Sequence, residues 1–77
     1  MTNNFVIFGR DNCHFCNKAK DLLEENGIEY EYFNVDDAVN LSTLKSLKPD
    51  AATIPQIWVD GNHLGGFDDL ERLIGVK

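Results

Sequence analysis

The sequence predicts an α/β fold, a four-stranded mixed sheet flanked by three helices in the order β-α-β-α-β-β-α. Three observations carry that expectation. Apolar and aromatic runs at 5–9, 28–35 and 56–59 suit strands, and between them apolar residues recur at helical spacing. Asp60-Gly61 is a tight-turn signal that predicts a closing hairpin. Gly27, Pro49 and Gly65-Gly66 stand where elements should stop.

Phe5 to Gly9 is a short apolar run, consistent with a buried strand. Arg10-Asp11-Asn12 follows and offers an N-cap near Asn12. A helix is expected from Cys13 to about Asn26, with Phe15, Ala19, Leu22 and Leu23 on one face at i, i+4, i+7 and i+8. Ile28 to Val35 is rich in Tyr and Phe, which favours a second strand. Asp36-Asp37 can cap a second helix from Val39 to Leu47, where Leu41, Leu44 and Leu47 recur every third residue. Gln56 to Val59 reads as the third strand and turns into His63-Leu64 as the fourth. The last helix starts near Phe67 and carries Leu70, Leu73 and Ile74 on one face. The β-α-β unit requires parallel strands, the hairpin antiparallel ones, and helices are expected on both faces.

At 77 residues the chain is expected to form a single domain, residues 1–77. A domain of this size buries only about 60% of its unfolded surface, so its core must be compact. With 43% hydrophobic and 26% charged residues it falls outside the disordered class. Thirteen acids against seven Lys and Arg give a net charge of −6, which argues against binding nucleic acid or an anionic membrane surface. The run Phe5-Val6-Ile7-Phe8 is too short for a signal-peptide core or a membrane span. The expected location is therefore the cytoplasm, and the expected state a monomer.

Chemistry concentrates at Cys13-His14-Phe15-Cys16, a C-x-x-C pair at the start of the first predicted helix. That spacing lets two sulfurs close a small disulfide ring. Free N–H groups and the positive end of the helix dipole favour a thiolate there, and thiols in such settings titrate as low as roughly 3.5–7.5. The thiolate is the attacking species in disulfide exchange. Cys13, nearer the helix tip, is the expected nucleophile, and Cys16, one turn deeper, the resolving thiol. Zinc is the competing use of such a pair. A structural zinc site needs about four ligands. Only His63 and an awkwardly placed His14 could join the cysteines, and no second C-x-x-C exists. No metal site is expected.

A C-x-x-C after the first strand of a β-α-β unit reads as a thioredoxin-like redox motif. Two more segments narrow it. Thr53-Ile54-Pro55-Gln56-Ile57 resembles the T-V-P-Q-I/V segment of glutaredoxins, and Gly65-Gly66-Phe67-Asp68-Asp69-Leu70 resembles their G-G-x-D-D-L segment. All three lie in that family's order, and the similarity covers nearly the whole chain. The resemblance implies a thioredoxin-like fold and glutathione-dependent reduction of protein disulfides and glutathione mixed disulfides. It implies a cis peptide bond before Pro55, with the Thr53, Ile54 and Pro55 backbone pairing with the thiol substrate. It implies a site for the γ-glutamyl end of glutathione at Gly66, Phe67 and Asp68, with ordinary helix capping left to one of the two aspartates. Arg10 falls where the family commonly has Lys and could hold a glutathione carboxylate.

The motif departs from the family's commonest C-P-Y-C. His14 replaces Pro and adds an imidazole beside Cys13, while Phe15 keeps an aromatic wall without the hydroxyl. Cys16 sets the chain apart from the monothiol branch, which has Ser there. The alternatives are a glutaredoxin-like redoxin reduced by thioredoxin reductase and serving ribonucleotide reductase, or a binder of a [2Fe-2S] cluster held between two chains with glutathione as co-ligand. Such redoxins usually lack the G-G-x-D-D segment. The expected partners are glutathione and disulfide-containing proteins such as ribonucleotide reductase.

Overall fold

The structure, a computed structural model, describes residues 4–75; the outermost residues of the expected domain, 1–3 and 76–77, lie outside it. The element order is β1 (Phe5–Gly9), α1 (His14–Glu25), β2 (Tyr30–Asn34), α2 (Ala38–Leu47), β3 (Gln56–Val59), β4 (Asn62–Gly65) and α3 (Phe67–Ile74). The sheet runs β2-β1-β3-β4. β1 pairs parallel to β2 and antiparallel to β3, and β3 pairs antiparallel to β4. This is the mixed sheet the sequence predicts.

Strand alternation splits the core in two. Phe5, Ile7 and Ile57 point to one face and pack with Ala19 and Leu23 of α1 and Leu70 of α3. Phe8 and Trp58 point to the other and pack with Val35 and Leu44 of α2. Fully burying one such side chain stabilises by about 1.5–3 kcal/mol. On the α2 face, Phe8 stacks on Phe33 at 5.3 Å and meets Trp58 edge-on at 5.6 Å.

The ends follow local chemistry. The Asp37 carboxylate accepts from Val39 and Asn40 N–H and starts α2. Asp60 and Gly61 both take positive φ, 54° and 85°, at the β3–β4 turn. α1 ends in a wrap in which the Ile28 N–H reaches Leu23 O, with Gly27 at φ 69°. That wrap holds Ile28 off the sheet edge, so β2 begins at Tyr30 rather than Ile28.

Four expectations are corrected. The N-cap of α1 is Cys13, not Asn12, because the Cys13 sulfur reaches the Cys16 N–H. Phe15 is half exposed; the buried residues of α1 are Cys16, Ala19 and Leu23. Of the α2 leucines only Leu44 is buried, since a spacing of three drifts round a helix of 3.6 residues per turn. Leu73 of α3 is likewise exposed, while Leu70 is buried and Ile74 packs at the core margin.

Candidate active site

The loop between β1 and α1 places the two cysteines. It turns on the Cys13 N–H, which donates to Arg10 O at 3.3 Å, and is braced by the Asn17 side-chain amide donating to Asp11 O at 3.0 Å. Cys13 therefore enters α1 extended and partly exposed, and its Sγ accepts the Cys16 N–H at 3.3 Å. Negative charge on that sulfur meets an N–H with no intrahelical acceptor. Both thiols are free.

Cys16 sits in the opposite environment, 0% exposed. Burial, then hydrogen bonding to the Cys13 sulfur, pushes its thiol up to about 12, opposed by the Arg10 backbone and the Tyr32 hydroxyl. The pocket behind it depends on Gly9: a Cβ there would stand 2.7 Å from Cys16 Sγ and 2.8 Å from Tyr32 Oη. Of the two thiols, only that of Cys13 can be reached from outside.

Beside the pair lies a groove of about 220 Å³. Its lining is Phe15, Thr53, Ile54, Pro55, Gly66, Phe67, Asp68 and Asp69. The Ile54–Pro55 bond is cis. The structure thus brings together every residue expected to contact glutathione except Arg10. Arg10 Nε donates to Asp36 Oδ1 at 2.9 Å and lines a second cleft, which shares only Thr53 and Ile54 with the first.

The two aspartates separate cleanly. Asp69 Oδ2 accepts the Gly66 N–H at 3.2 Å, and its Oδ1 pairs with Arg72 at 3.0 Å. Gly65, at φ 133°, makes room for that carboxylate, because a Cβ there would run into it. Asp68 is exposed and, among the described residues, makes no hydrogen bond or ion pair. Behind the groove, Gln56 donates to Thr53 O at 2.8 Å and meets His63 Nε2 at 2.8 Å, which ties the cis-proline loop to β4.

Two residues escaped the sequence reading. Lys18 holds its ammonium over both aromatic walls, 5.7 Å from the Phe15 ring and 5.2 Å from the Phe67 ring. The i,i+3 spacing of Phe15 and Lys18 on α1 was the available signal. Tyr32 reaches the cysteine loop from β2 and donates to Arg10 O at 3.1 Å. Nothing local in the sequence marks that contact. Among the described residues no three His, Cys, Asp or Glu side chains gather as a metal site, and no helix is long and apolar enough to cross a membrane.

An accessible thiol backed by a buried one a helical turn deeper is the arrangement that exchanges disulfides. With this sheet, the pair defines a thiol–disulfide oxidoreductase of thioredoxin-like fold. Similarity to known proteins narrows the class. The chain belongs to the glutaredoxin family, whose model matches residues 5–64. It is 35% identical to a glutaredoxin of Pseudomonas aeruginosa over 88% of this chain and 81% of that protein. It is also 35% identical to the hybrid peroxiredoxin hyPrx5 of Haemophilus influenzae, over 94% of this chain, but spans only 30% of that longer protein. Glutaredoxin 1 from Francisella tularensis, solved in complex with cacodylate, superposes with a TM-score of 0.77 at 29% identity, over 92% of this chain and 91% of that one.

Proposed function

We propose that this chain is a glutathione-dependent oxidoreductase that reduces glutathione mixed disulfides and protein disulfides through Cys13 and Cys16. Cys13 attacks as the thiolate and forms a mixed disulfide. Cys16, or a second glutathione, then resolves it. The observation that carries this reading is the groove that joins Phe15, the cis-Pro55 loop and the first turn of α3.

Glutathione offers two carboxylates, an amine and one peptide-bonded cysteine. The first turn of α3 supplies Phe67 and Asp68 N–H groups without intrahelical acceptors, suited to the γ-glutamyl carboxylate. Asp68, unpaired among the described residues, suits its amine. Thr53 O is taken by Gln56, so backbone pairing with the cysteinyl portion falls on Ile54. Arg10 keeps its terminal guanidinium nitrogens for the other carboxylate, and Lys18 adds a second cation at the groove. Protein disulfides such as that of ribonucleotide reductase are the second substrate class, and the cytoplasm the place of action.

A coupled turnover assay tests this directly. Glutathione with its reductase should sustain reduction of a glutathionylated peptide. Turnover with thioredoxin reductase alone would sink the proposal and favour the redoxin reading. Cys13 is the thiol an inter-chain [2Fe-2S] cluster could reach, since Cys16 is enclosed. Anaerobic reconstitution with iron, sulfide and glutathione tests that reading; a colourless monomer would remove it.

A further inference from the structure

Behind the cysteine pair, Tyr32 occupies a place that none of the roles above uses. Its ring lies on β2, opposite Ile7 in the parallel register, and packs at the margin of the α1 core. Its hydroxyl and the Cys16 sulfur both stand over Gly9, on the side where that residue has no Cβ. The hydroxyl carries one hydrogen, which goes to Arg10 O at 3.1 Å. That carbonyl also accepts the Cys13 N–H at 3.3 Å, so it keeps a partner if the hydroxyl turns away.

We infer that the Tyr32 hydroxyl is the hydrogen-bond donor for the Cys16 thiolate, swinging from Arg10 O to Cys16 Sγ when the resolving sulfur ionises. The inference rests on Cys16 being the resolving thiol. In that step Cys16 loses its proton and its sulfur attacks Cys13 Sγ of the mixed disulfide. The Cys13–Cys16 bond forms and the bond from Cys13 to the substrate sulfur breaks. The electron pair leaves on the substrate thiolate, which is reduced and takes up a proton, while the two cysteines are oxidised to the disulfide. A charge forming on a fully enclosed sulfur needs a donor within reach. The groups facing this sulfur and hydroxyl are Cys13, the Arg10 backbone, Asp11 and Lys20, whose ammonium stands 4.1 Å from the centre of the Tyr32 ring. Burial and the nearby negative groups push the Tyr32 hydroxyl above its ordinary range, so it stays protonated and acts as a donor only.

Tyr32→Phe removes this hydrogen and keeps the ring under Lys20. Stopped-flow reaction of the reduced protein with Ellman's reagent separates the steps. The first thionitrobenzoate released reports attack by Cys13, and the second reports resolution by Cys16. The variant should keep the first phase and slow the second by about tenfold, the factor for losing one hydrogen bond to a charged atom. The slowing should persist at each pH at which the second phase rises with pH. An unchanged second phase would overturn the inference. Equal slowing of both phases would also overturn it and make Tyr32 a packing residue. The Cys16→Ser variant keeps the failures apart. If it still gives a fast second release, the role assigned to Cys16 fails, whatever Tyr32 does.

Discussion

The N-termini of α1 and α3 both border the groove between Phe15 and Phe67, yet they are capped in different ways. α1 has no acidic residue in its first turn, and its N-cap is a cysteine whose sulfur accepts a backbone N–H. α3 has Asp68 and Asp69 in its first turn, and the Asp69 carboxylate accepts the N–H of the N-cap Gly66. One terminus gives its favourable field to a reactive sulfur. The other has only its N-cap N–H held by a fixed carboxylate, Asp69, which leaves the Phe67 and Asp68 N–H groups open and, among the described residues, the Asp68 side chain without a hydrogen bond or ion pair. A helix N-terminus is a generic anion site, and the capping residue decides which of its N–H groups stay open.

The largest effect should come from the α1 terminus. Cys13→Ser should abolish turnover with every substrate, whereas Cys16→Ser should retain reduction of glutathione mixed disulfides and lose dithiol reduction of proteins. Parallel turnover assays on the two substrate types check this. At α3 the adjacent aspartates should divide. Asp68→Ala should lower kcat/KM for a glutathionylated peptide by about tenfold, or about 1.4 kcal/mol, with unchanged thermal stability. Asp69→Ala should cost about 1 kcal/mol of stability through the lost cap, seen in urea unfolding. If Asp69→Ala were the more damaging to glutathione kinetics and Asp68→Ala to stability, the division would be reversed. Arg10→Ala should lower kcat/KM less than Asp68→Ala does, because its pair with Asp36 is exposed.

The smallest effect separates the two thiols by pH. The fold holds the Cys16 thiol up at about 12 against an ordinary 9.0, because burial favours its neutral form. The stability this contributes is complete below pH 9.0 and is lost as pH rises towards 12. Reduced protein should therefore unfold at progressively lower urea above about pH 9. Cys16→Ala should flatten part of that slope. The rest belongs to groups such as Tyr30, which burial and Glu24 also push up to about 12.

Much of the architecture was legible because its strands are dense in apolar residues. β1 and β3 fall on the residues their apolar runs mark, 5–9 and 56–59. The C-x-x-C, T-I-P and G-G-F-D-D segments are contiguous in sequence, and the last two converge, with Phe15, on one groove. What local pattern could not show depends on tertiary placement. Helical periodicity put Phe15 with the core, but α3 packs against α1 so that Phe15 meets Phe67 at the groove, ring centres 5.8 Å apart. Residue preference favoured Asn12 as the N-cap, whereas the turn at Arg10 delivers Cys13 to that position. Tyr32 is visible only once the β1–β2 register is known. Arg10 carried a charge that suited a ligand, but its tie to Asp36, 26 residues away, could not be read from either residue alone.

The central claim is that one thiol is presented and the other enclosed. Limited alkylation of reduced protein with iodoacetamide at near-neutral pH, followed by peptide mass spectrometry, tests it most directly. Cys13 should be modified first, with Cys16 protected until the protein is unfolded in urea. Alkylation of Cys16 ahead of Cys13 in the folded protein would contradict the account.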